Sequence, residues 1–178
     1  KPSLSKWSLI TGAGVALAVV TAVFVGQSHE SAMALGLSLS LRQNLSRPVA
    51  DAVDFYSFSG LPPPVARYFR QVLTQNQPLI KTVRIEQSGV LRTRTTTDAW
   101  SPFTAKQIVV PPARGFVWNA RVETPFFTHV RVLDSYIAGT GAGRVSILSA
   151  LAVASASGDP ELNSGALHRY LAEAVWYP

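Results

Sequence analysis

The stretch AGTGAGR carries three alternating glycines, Gly139, Gly141 and Gly143, with Arg144 directly after them. Glycine-rich loops beside a cation hold phosphate when a helix follows, because the N–H groups at the helix N-terminus then face the anion. A dinucleotide-binding fingerprint would also need glycine at position 144. The residues on both sides alternate in polarity with period two, which is typical of strands. The glycines are therefore predicted to form the turn of a β-hairpin.

The three histidines are far apart in the sequence and fall in different predicted elements. None has the spacing of a metal site such as H-x-x-x-H or H-E-x-x-H. The chain has no cysteine, which excludes thiolate ligands, cysteine nucleophiles and disulfides. Structural roles are therefore expected at His29, His129 and His168.

Carboxylates are few, and those in the predicted sheet fall beside arginines. Cross-strand ion pairs explain them, with an acid–base pair as the alternative. These residues are Glu86, Asp98, Glu123 and Asp134. The chain has no G-x-S-x-G elbow and no Walker sequence. We therefore predict a protein that is not an enzyme, and we assign no catalytic residue, cofactor or metal site.

The composition points to a membrane or to partner proteins. Charged residues make up 15% of the chain, against about 25% in ordinary soluble domains. The net charge is +6, but the basic residues are spread from Arg67 to Arg169 and form no run. A dispersed set of this kind is typical of solvated strand faces, so nucleic acid is not predicted as a partner.

The segment from Trp7 to Gly26 contains twenty residues without a charge. As a helix it would be about 30 Å long, the thickness of a bilayer core. Lys1 and Lys6 precede it, so the positive-inside rule places the N-terminus in the cytoplasm. The remainder of the chain would then lie in the periplasm, anchored in the bacterial inner membrane and in contact with its lipids. A cleaved signal peptide ending near SAMA is the alternative, but the apolar run is longer than the usual 7–15 residues or so.

Small residues recur at four-residue spacing in this helix, which lets another helix approach closely in lipid. They are Gly12, Gly14, Ala16 and Ala18.

The next segment is predicted to be an extended linker. In AMALGLSLSLR, apolar residues alternate with small or polar ones over nine positions, which indicates a strand with one apolar face. These residues are Met33, Leu35, Leu37, Leu39 and Leu41. Such a face must be covered, and a partner protein, the lipid interface or the chain's own sheet could cover it.

The rest of the chain is predicted to form one α+β domain. LPPPVARYFRQVL has prolines in its first turn and an apolar face with helical spacing, so it predicts a helix. GDPELNSGALHRYLAEAVWYP predicts a second helix, capped by Ser164. Its apolar stripe is predicted to comprise Leu167, Tyr170, Leu171, Ala174 and Val175. Between the two helices the period is two, which predicts a curved, open, antiparallel meander of about six strands, with a turn near Ser88 and Gly89. The predicted parts are an anchor at 1–26, a linker at 27–60 and the domain at 61–178.

Four segments resemble a bacterial family of uncharacterised domains: LPPPVARYFRQVL, PFTAKQ, GFVWNARV and GALHRYLAEAVWYP. The resemblance covers about residues 61–178. It implies a fold of the lipoprotein-carrier (LolA-like) type, with an open antiparallel sheet wrapped round helices, and it implies no functional residues. Family members continue past WYP with more strands, so this chain is expected to be truncated relative to them and its sheet incomplete.

Two functions follow as expectations. The first is a non-catalytic accessory subunit that braces a larger membrane complex, for which bacterial photosynthetic or respiratory complexes are natural hosts. The second is a periplasmic LolA-like domain that binds lipid or a lipoprotein acyl chain under its sheet. An enzyme of unknown reaction comes third. The apolar ligand face predicted for the carrier comprises Phe116, Trp118, Val130, Val132 and Tyr136.

Overall fold

A computed structural model describes residues 4–44, 51–92, 96, 98–126 and 128–178, with side chains described from residue 11 onward. In chain order, a long helix is followed by a short helix, six strands and a final helix. This is the α+β fold that the sequence predicts. The elements are α1 (Leu4–Gln43), α2 (Pro63–Val72), β1 (Val83–Arg92), β2 (Trp100–Val110), β3 (Gly115–Thr124), β4 (Thr128–Ile137), β5 (Thr140–Ile147), β6 (Leu151–Ser157) and α3 (Pro160–Glu173).

The six strands form one antiparallel sheet in sequence order, which confirms the predicted meander. Each strand pairs with its neighbours in the chain, as hairpin patterning requires. The strand pairing places side chains alternately on two faces. Phe116 and Tyr136 are directly opposite each other and share one face, whereas Val117 and Ser135 share the other.

One predicted turn was wrong, and one turn was missed. Ser88 and Gly89 lie inside β1 and pair with Thr104 and Phe103, because the polar alternation continues through them without a break. The segment after Arg144, which reads as one strand, is two strands divided at residues 148–150. Leu148 and Ser149 both have positive φ there. This turn conformation is uncommon for residues other than glycine, so the sequence does not indicate it.

The strand predicted over residues 33–41 of the linker was also wrong, because α1 continues without interruption from Leu4 to Gln43. Leucine, alanine and serine are all compatible with a helix, and leucine is a strong helix former. In a helix, Met33, Leu37 and Leu41 fall on one face at four-residue spacing and pack against the sheet. Leu35 and Leu39 fall on the opposite face and are exposed.

The sheet is covered on both faces. On one face, α3 packs against a cluster that includes Val109, Phe116 and Tyr136. On the other, the last three turns of α1 pack against Val110 and Leu133. The sheet is therefore the middle layer between α3 and the second half of α1.

The cap and stripe of α3 differ from the prediction. Asp159 is the N-cap, and its side chain accepts hydrogen bonds from the N–H groups of Glu161 and Leu162. Ser164 is five residues further on, inside the helix. Pro160 explains the earlier start, since proline is well suited to the first helical position. Tyr170 is buried as predicted, but its stripe neighbours Leu167, Leu171 and Val175 are exposed.

Candidate functional site

The contact between α1 and the sheet is centred on a buried ion pair. Arg144 of β5 donates from Nε to Oε1 of Glu30 at 3.1 Å. The Glu30 side chain is only 4% exposed, and that of Arg144 is 29% exposed. A carboxylate at this depth needs a cation beside it, so the pair fixes the position of α1 across the sheet.

The backbones of α1 and the sheet lie close together at both ends of this contact. At Gly26, an added Cβ would collide with the carbonyl group of Ser149, in the turn between β5 and β6. At Gly115, where β3 begins, an added Cβ would meet the backbone of Tyr136 and the side chain of Leu41. Glycine is required where backbones come this close. The sheet therefore contacts α1 from Gly26 to Leu41.

The described side chains in the first part of α1 are not buried against the sheet. All residues from 11 to 20 are exposed, including the predicted helix-packing residues Gly12, Gly14, Ala16 and Ala18. By length and composition, α1 could cross a membrane, since its described part from Thr11 to Gln43 includes a long apolar window. No neighbouring atom lies within 4 Å of a Cβ added at Gly12 or Gly14.

The predicted apolar ligand face is divided by α3. Phe116 and Tyr136 are buried beneath it, and Trp118 packs beside them. Val130 and Val132 lie on the same face of the sheet toward the other end of β4, and they are half-buried. The structure thus places all five residues on one face, with three of them in the contact with α3.

A polar network that the sequence analysis missed ties α3 to this face. Arg169 donates to Asp134 at 2.8 Å and to Glu173 at 3.0 Å, and its guanidinium lies 4.7 Å from the centre of the Phe116 ring. Gln107 donates to the second oxygen of Glu173 at 2.6 Å. Gln107 alternates with Ala105 and Val109 on an inward strand face. Because buried polar side chains are hydrogen-bonded, a glutamine at this inward-facing position indicates that a polar partner lies opposite it.

Burial raises the pKa of Asp134 above its ordinary value, and the charge and hydrogen bond of Arg169 oppose that rise. A raised pKa in a cleft is a common property of catalytic acids. Here both carboxylates of the network are bonded to Arg169, and the helix covers them. The arrangement is suited to holding α3 in place.

The other predicted carboxylate pairs are present in different forms. Glu86 and Lys106 are opposite each other on β1 and β2, at 3.8 Å, which is the cross-strand pair expected. Asp98 pairs with Arg92 across the connection between those strands. Glu123 accepts from Arg121 of its own strand, at 2.7 Å, two residues away.

Of the histidines, His129 is buried, and its Nε2 lies 3.0 Å from the Ser149 hydroxyl. Burial, together with the nearby charges of Arg121 and Arg131, lowers its pKa. His29 on α1 and His168 on α3 are exposed. Within the described ranges, no group of three or more His, Asp or Glu side chains could hold a metal ion.

The predicted hairpin turn is present, but of the three glycines only Gly139 lies in it, whereas Gly141 and Gly143 lie within β5. Ala138 and Gly139 both have positive φ and connect the paired residues Ile137 and Thr140, which is the two-residue turn that suits strand twist. Gly141 has a separate role, because an added Cβ would lie 2.7 Å from the carbonyl oxygen of Leu162 in α3. Its N–H group donates to the side chain of Asn163 at 2.7 Å.

A basic groove of about 380 Å³ lies on the face that carries α1, lined by polar residues of β1 to β4. Arg121 and Arg131 are directly opposite each other there, and Lys106 is on the next strand. Like charges in this position are unfavourable. The Nε of Arg131 is buried and has no hydrogen-bond partner in the described part of the chain. The groove could hold an anionic group.

A family model matches residues 59–178, which include α2, the sheet and α3. Its description is a family of unknown function, DUF6920. The chain belongs to this family. The match confirms the expected uncharacterised domain family and begins after α1, so the ion pair of Glu30 joins a helix outside the DUF6920 region to a strand inside it. No curated protein and no solved structure matched the chain.

Proposed function

We propose that the protein is a single-pass, membrane-anchored accessory subunit that braces a larger bacterial membrane complex. The observation that carries this proposal is the continuity of α1. One helix contains both the exposed apolar segment and the turns that pack on the sheet. A domain joined in this way keeps a fixed orientation to the bilayer, which is the property that a brace requires.

Exposed apolar side chains support a role in binding partners. Leu35 and Leu39 face away from the sheet on α1, nine and thirteen residues beyond the end of the proposed span at Gly26. Leu171, Val175 and Trp176 are exposed at the C-terminal end of α3. Contiguous apolar surface outside a core is typical of protein interfaces.

The proposed topology puts the N-terminus in the cytoplasm and the DUF6920 domain in the periplasm, since Lys1 and Lys6 precede the apolar run. The proposed role is non-catalytic. This part of the proposal is supported by the pairing of Asp134 and Glu173 with Arg169 beneath α3, which leaves neither carboxylate free for a substrate.

The test is to isolate the full-length protein from its native membranes in mild detergent and to identify the proteins that migrate with it. We expect stoichiometric recovery with subunits of one membrane complex. Recovery as a monomer carrying lipid would overturn the proposal.

Two matched variants sharpen this experiment. Residues 12 and 14 are about 200° apart around a helix, so Gly12→Leu and Gly14→Leu alter opposite sides of the span. The variant on the partner side should lose the complex, and the other should retain it, with unchanged unfolding of the domain in both. Full recovery with both variants would exclude packing through these glycines.

The LolA-like carrier is the second candidate, and one observation favours it. α3 contacts β4 at Asp134. Beyond this contact, Val130 and Val132 continue the apolar face of the sheet, and both are half-buried. An acyl chain could lie along this part of the face. Native mass spectrometry of the purified protein tests this function. A lipid adduct that is lost in Val132→Glu and kept in Val90→Glu, at an exposed position on β1, would support the carrier.

A further inference from the structure

We propose that the turns β3–β4 and β5–β6 insert into the apolar layer of the bilayer, beside α1, so that the acyl chains of that bilayer contact the tip of the sheet. This inference rests on the proposed membrane anchoring of α1 and adds a second point of contact with the lipid. It concerns the end of the sheet formed by Phe126, Leu148 and Leu151, which is called the sheet tip below.

Phe126 is the most exposed large apolar residue in the described chain, at 92%. It lies in the β3–β4 turn with φ of 61°, a conformation that is uncommon for a bulky side chain. Transfer of a phenylalanine side chain from water to an apolar phase is favourable. Leu151, at the start of β6, is also exposed, so each of the two turns has an exposed apolar side chain.

The position of the sheet tip along α1 supports this inference. Phe126 and Leu148 line a groove of about 460 Å³ together with residues of α1. The α1 residues of the groove are Val19, Val20, Val23, Phe24 and Gln27. Val19 and Phe24 precede Gly26, the last residue of the uncharged run, by seven and two residues, which corresponds to about 10 Å and 3 Å along a helix. If the uncharged run spans the hydrocarbon layer, the sheet tip lies at its outer edge.

Several polar groups near the sheet tip have partners within the protein. Thr124 and Thr128 share a hydrogen bond between their hydroxyl groups at 2.7 Å, and the Thr128 hydroxyl also lies 2.7 Å from the carbonyl oxygen of Pro125. In the second turn, the N–H of Leu148 donates to the carbonyl oxygen of His129 at 2.9 Å. Such pairing is required in hydrocarbon, where no water is present to bond an unsatisfied backbone group.

Charged side chains lie further up the same strands. Arg131 lies three residues beyond Thr128, where β4 begins, which is about 10 Å along the strand. Together with Arg121 it lines the basic groove described above. With Phe126 at the edge of the hydrocarbon, these arginines lie at the level of the lipid headgroups, where long basic side chains are favourable.

Lipid, rather than a partner helix, is the proposed occupant of the groove. One wall of the groove is the surface of α1 at the depth where acyl chains surround a single-span helix. The other wall is the sheet tip, which ends there. The surface is continuous with the lipid-facing side of the span, and no additional protein is needed to cover it.

Spin labelling tests the proposal directly, because the chain has no cysteine and each added cysteine is labelled alone. Nitroxide labels are attached at Phe126→Cys and Leu151→Cys in the full-length protein, which is reconstituted into phosphatidylcholine vesicles. Phe24→Cys reports on the span. Tyr56→Cys, 84% exposed and next to α2, is the aqueous control. Collision of each label with oxygen, which concentrates in lipid, is compared with collision with a water-soluble nickel chelate.

We expect the labels at 126 and 151 to favour oxygen, as the label at 24 does, and the label at 56 to favour nickel. If the label at 24 favours oxygen while those at 126 and 151 favour nickel, the anchor stands and the insertion of the sheet tip is wrong. If all four favour nickel, the anchor itself fails and the inference fails with it. Labels at 126 and 151 shielded from both reagents would indicate a protein contact, which also overturns the inference.

Discussion

Glu30 on α1 and Arg144 on β5 form an ion pair across the interface between the long helix and the sheet, with 3.1 Å between the bonded atoms. The two residues are 114 positions apart in the chain. Arg144 is also the cation that follows the glycine-rich turn. A residue that suggests phosphate binding in the sequence instead neutralises a buried carboxylate of the chain's own helix.

Arg144→Ala is expected to lower the free energy of unfolding of the domain by about 2 kcal/mol. The change leaves Glu30 buried without its partner, and the cost is below that of a fully buried pair because Arg144 is partly solvated. Urea unfolding of the full-length protein in mild detergent measures it. In a double-mutant cycle with Glu30→Gln, we expect a coupling of about 1 kcal/mol. Lys81→Ala, which breaks an exposed pair with Asp51, is the control and should change nothing measurable. Equal effects of the two alanine variants would contradict this account.

Gly26→Ala is expected to destabilise the contact between α1 and the sheet. Helix propensity alone predicts the opposite, because alanine is better than glycine in a helix by about 1 kcal/mol. At Gly26, however, the added Cβ would collide with the carbonyl group of Ser149, so the turn must move. Gly36→Ala is the matched control on the same helix, since its Cβ would meet no atom within 4 Å. Unfolding midpoints should fall for Gly26→Ala and rise slightly for Gly36→Ala, and a rise in both would show that the backbones are not in contact.

Much of the fold is predictable from local patterns. Pro63 and Pro64 mark the start of α2, and strict alternation marks β2, β3 and β4. The error over residues 33–41 has a physical cause, since leucines at every second position also produce a four-residue repeat. The pattern therefore fits a strand and a helix equally well. The continuing helix prevails because it buries Met33, Leu37 and Leu41 on the sheet.

The interior contacts are less predictable, because they depend on which faces meet. Ser88–Gly89 looks like a turn but lies within a strand, since its partners on β2 continue past it. The pairing of Arg169 with Asp134 joins residues 35 positions apart and follows only from the packing of α3 on β4. Gln107, alone among apolar neighbours on its strand face, is the residue from which part of this network could have been foreseen.

Arg169→Ala is expected to destabilise the domain by about 2 kcal/mol at pH 7, because it leaves Asp134 and Glu173 partly buried without a cation. The pH dependence identifies the cause. Loss of the arginine raises the already raised pKa of Asp134 further. A carboxyl group with a raised pKa destabilises the fold only when it must ionise, so the deficit should shrink as the pH falls toward 4. Urea unfolding of both proteins from pH 4 to pH 7 measures it. A deficit that does not change with pH would instead indicate loss of the ring contacts with Phe116 and Trp118.

His129 is expected to make the domain less stable in mild acid. Its pKa in the folded protein is lowered, so the unfolded chain takes up the proton first, beginning near the ordinary value of about 6.5. Stability is therefore complete above that pH and declines as the pH falls toward the folded pKa. His129→Gln should flatten this part of the profile. The exposed His168→Gln should leave it as in the wild type, and a profile that is unchanged in both variants would exclude His129 as the cause.

Asp159→Ala is expected to lower the stability of the domain by about 1 kcal/mol, the usual cost of losing a helix N-cap. Asp159 accepts from the N–H groups of Glu161 and Leu162, which have no other partner in the first turn of α3. Ser164→Ala is the matched comparison, because serine five residues further on is inside the helix, where alanine has the higher propensity. It should therefore be neutral or slightly stabilising. Thermal unfolding of the two variants shows which residue is the N-cap of α3. A larger loss of stability in Ser164→Ala than in Asp159→Ala would show that α3 begins at Ser164, as the sequence pattern predicts.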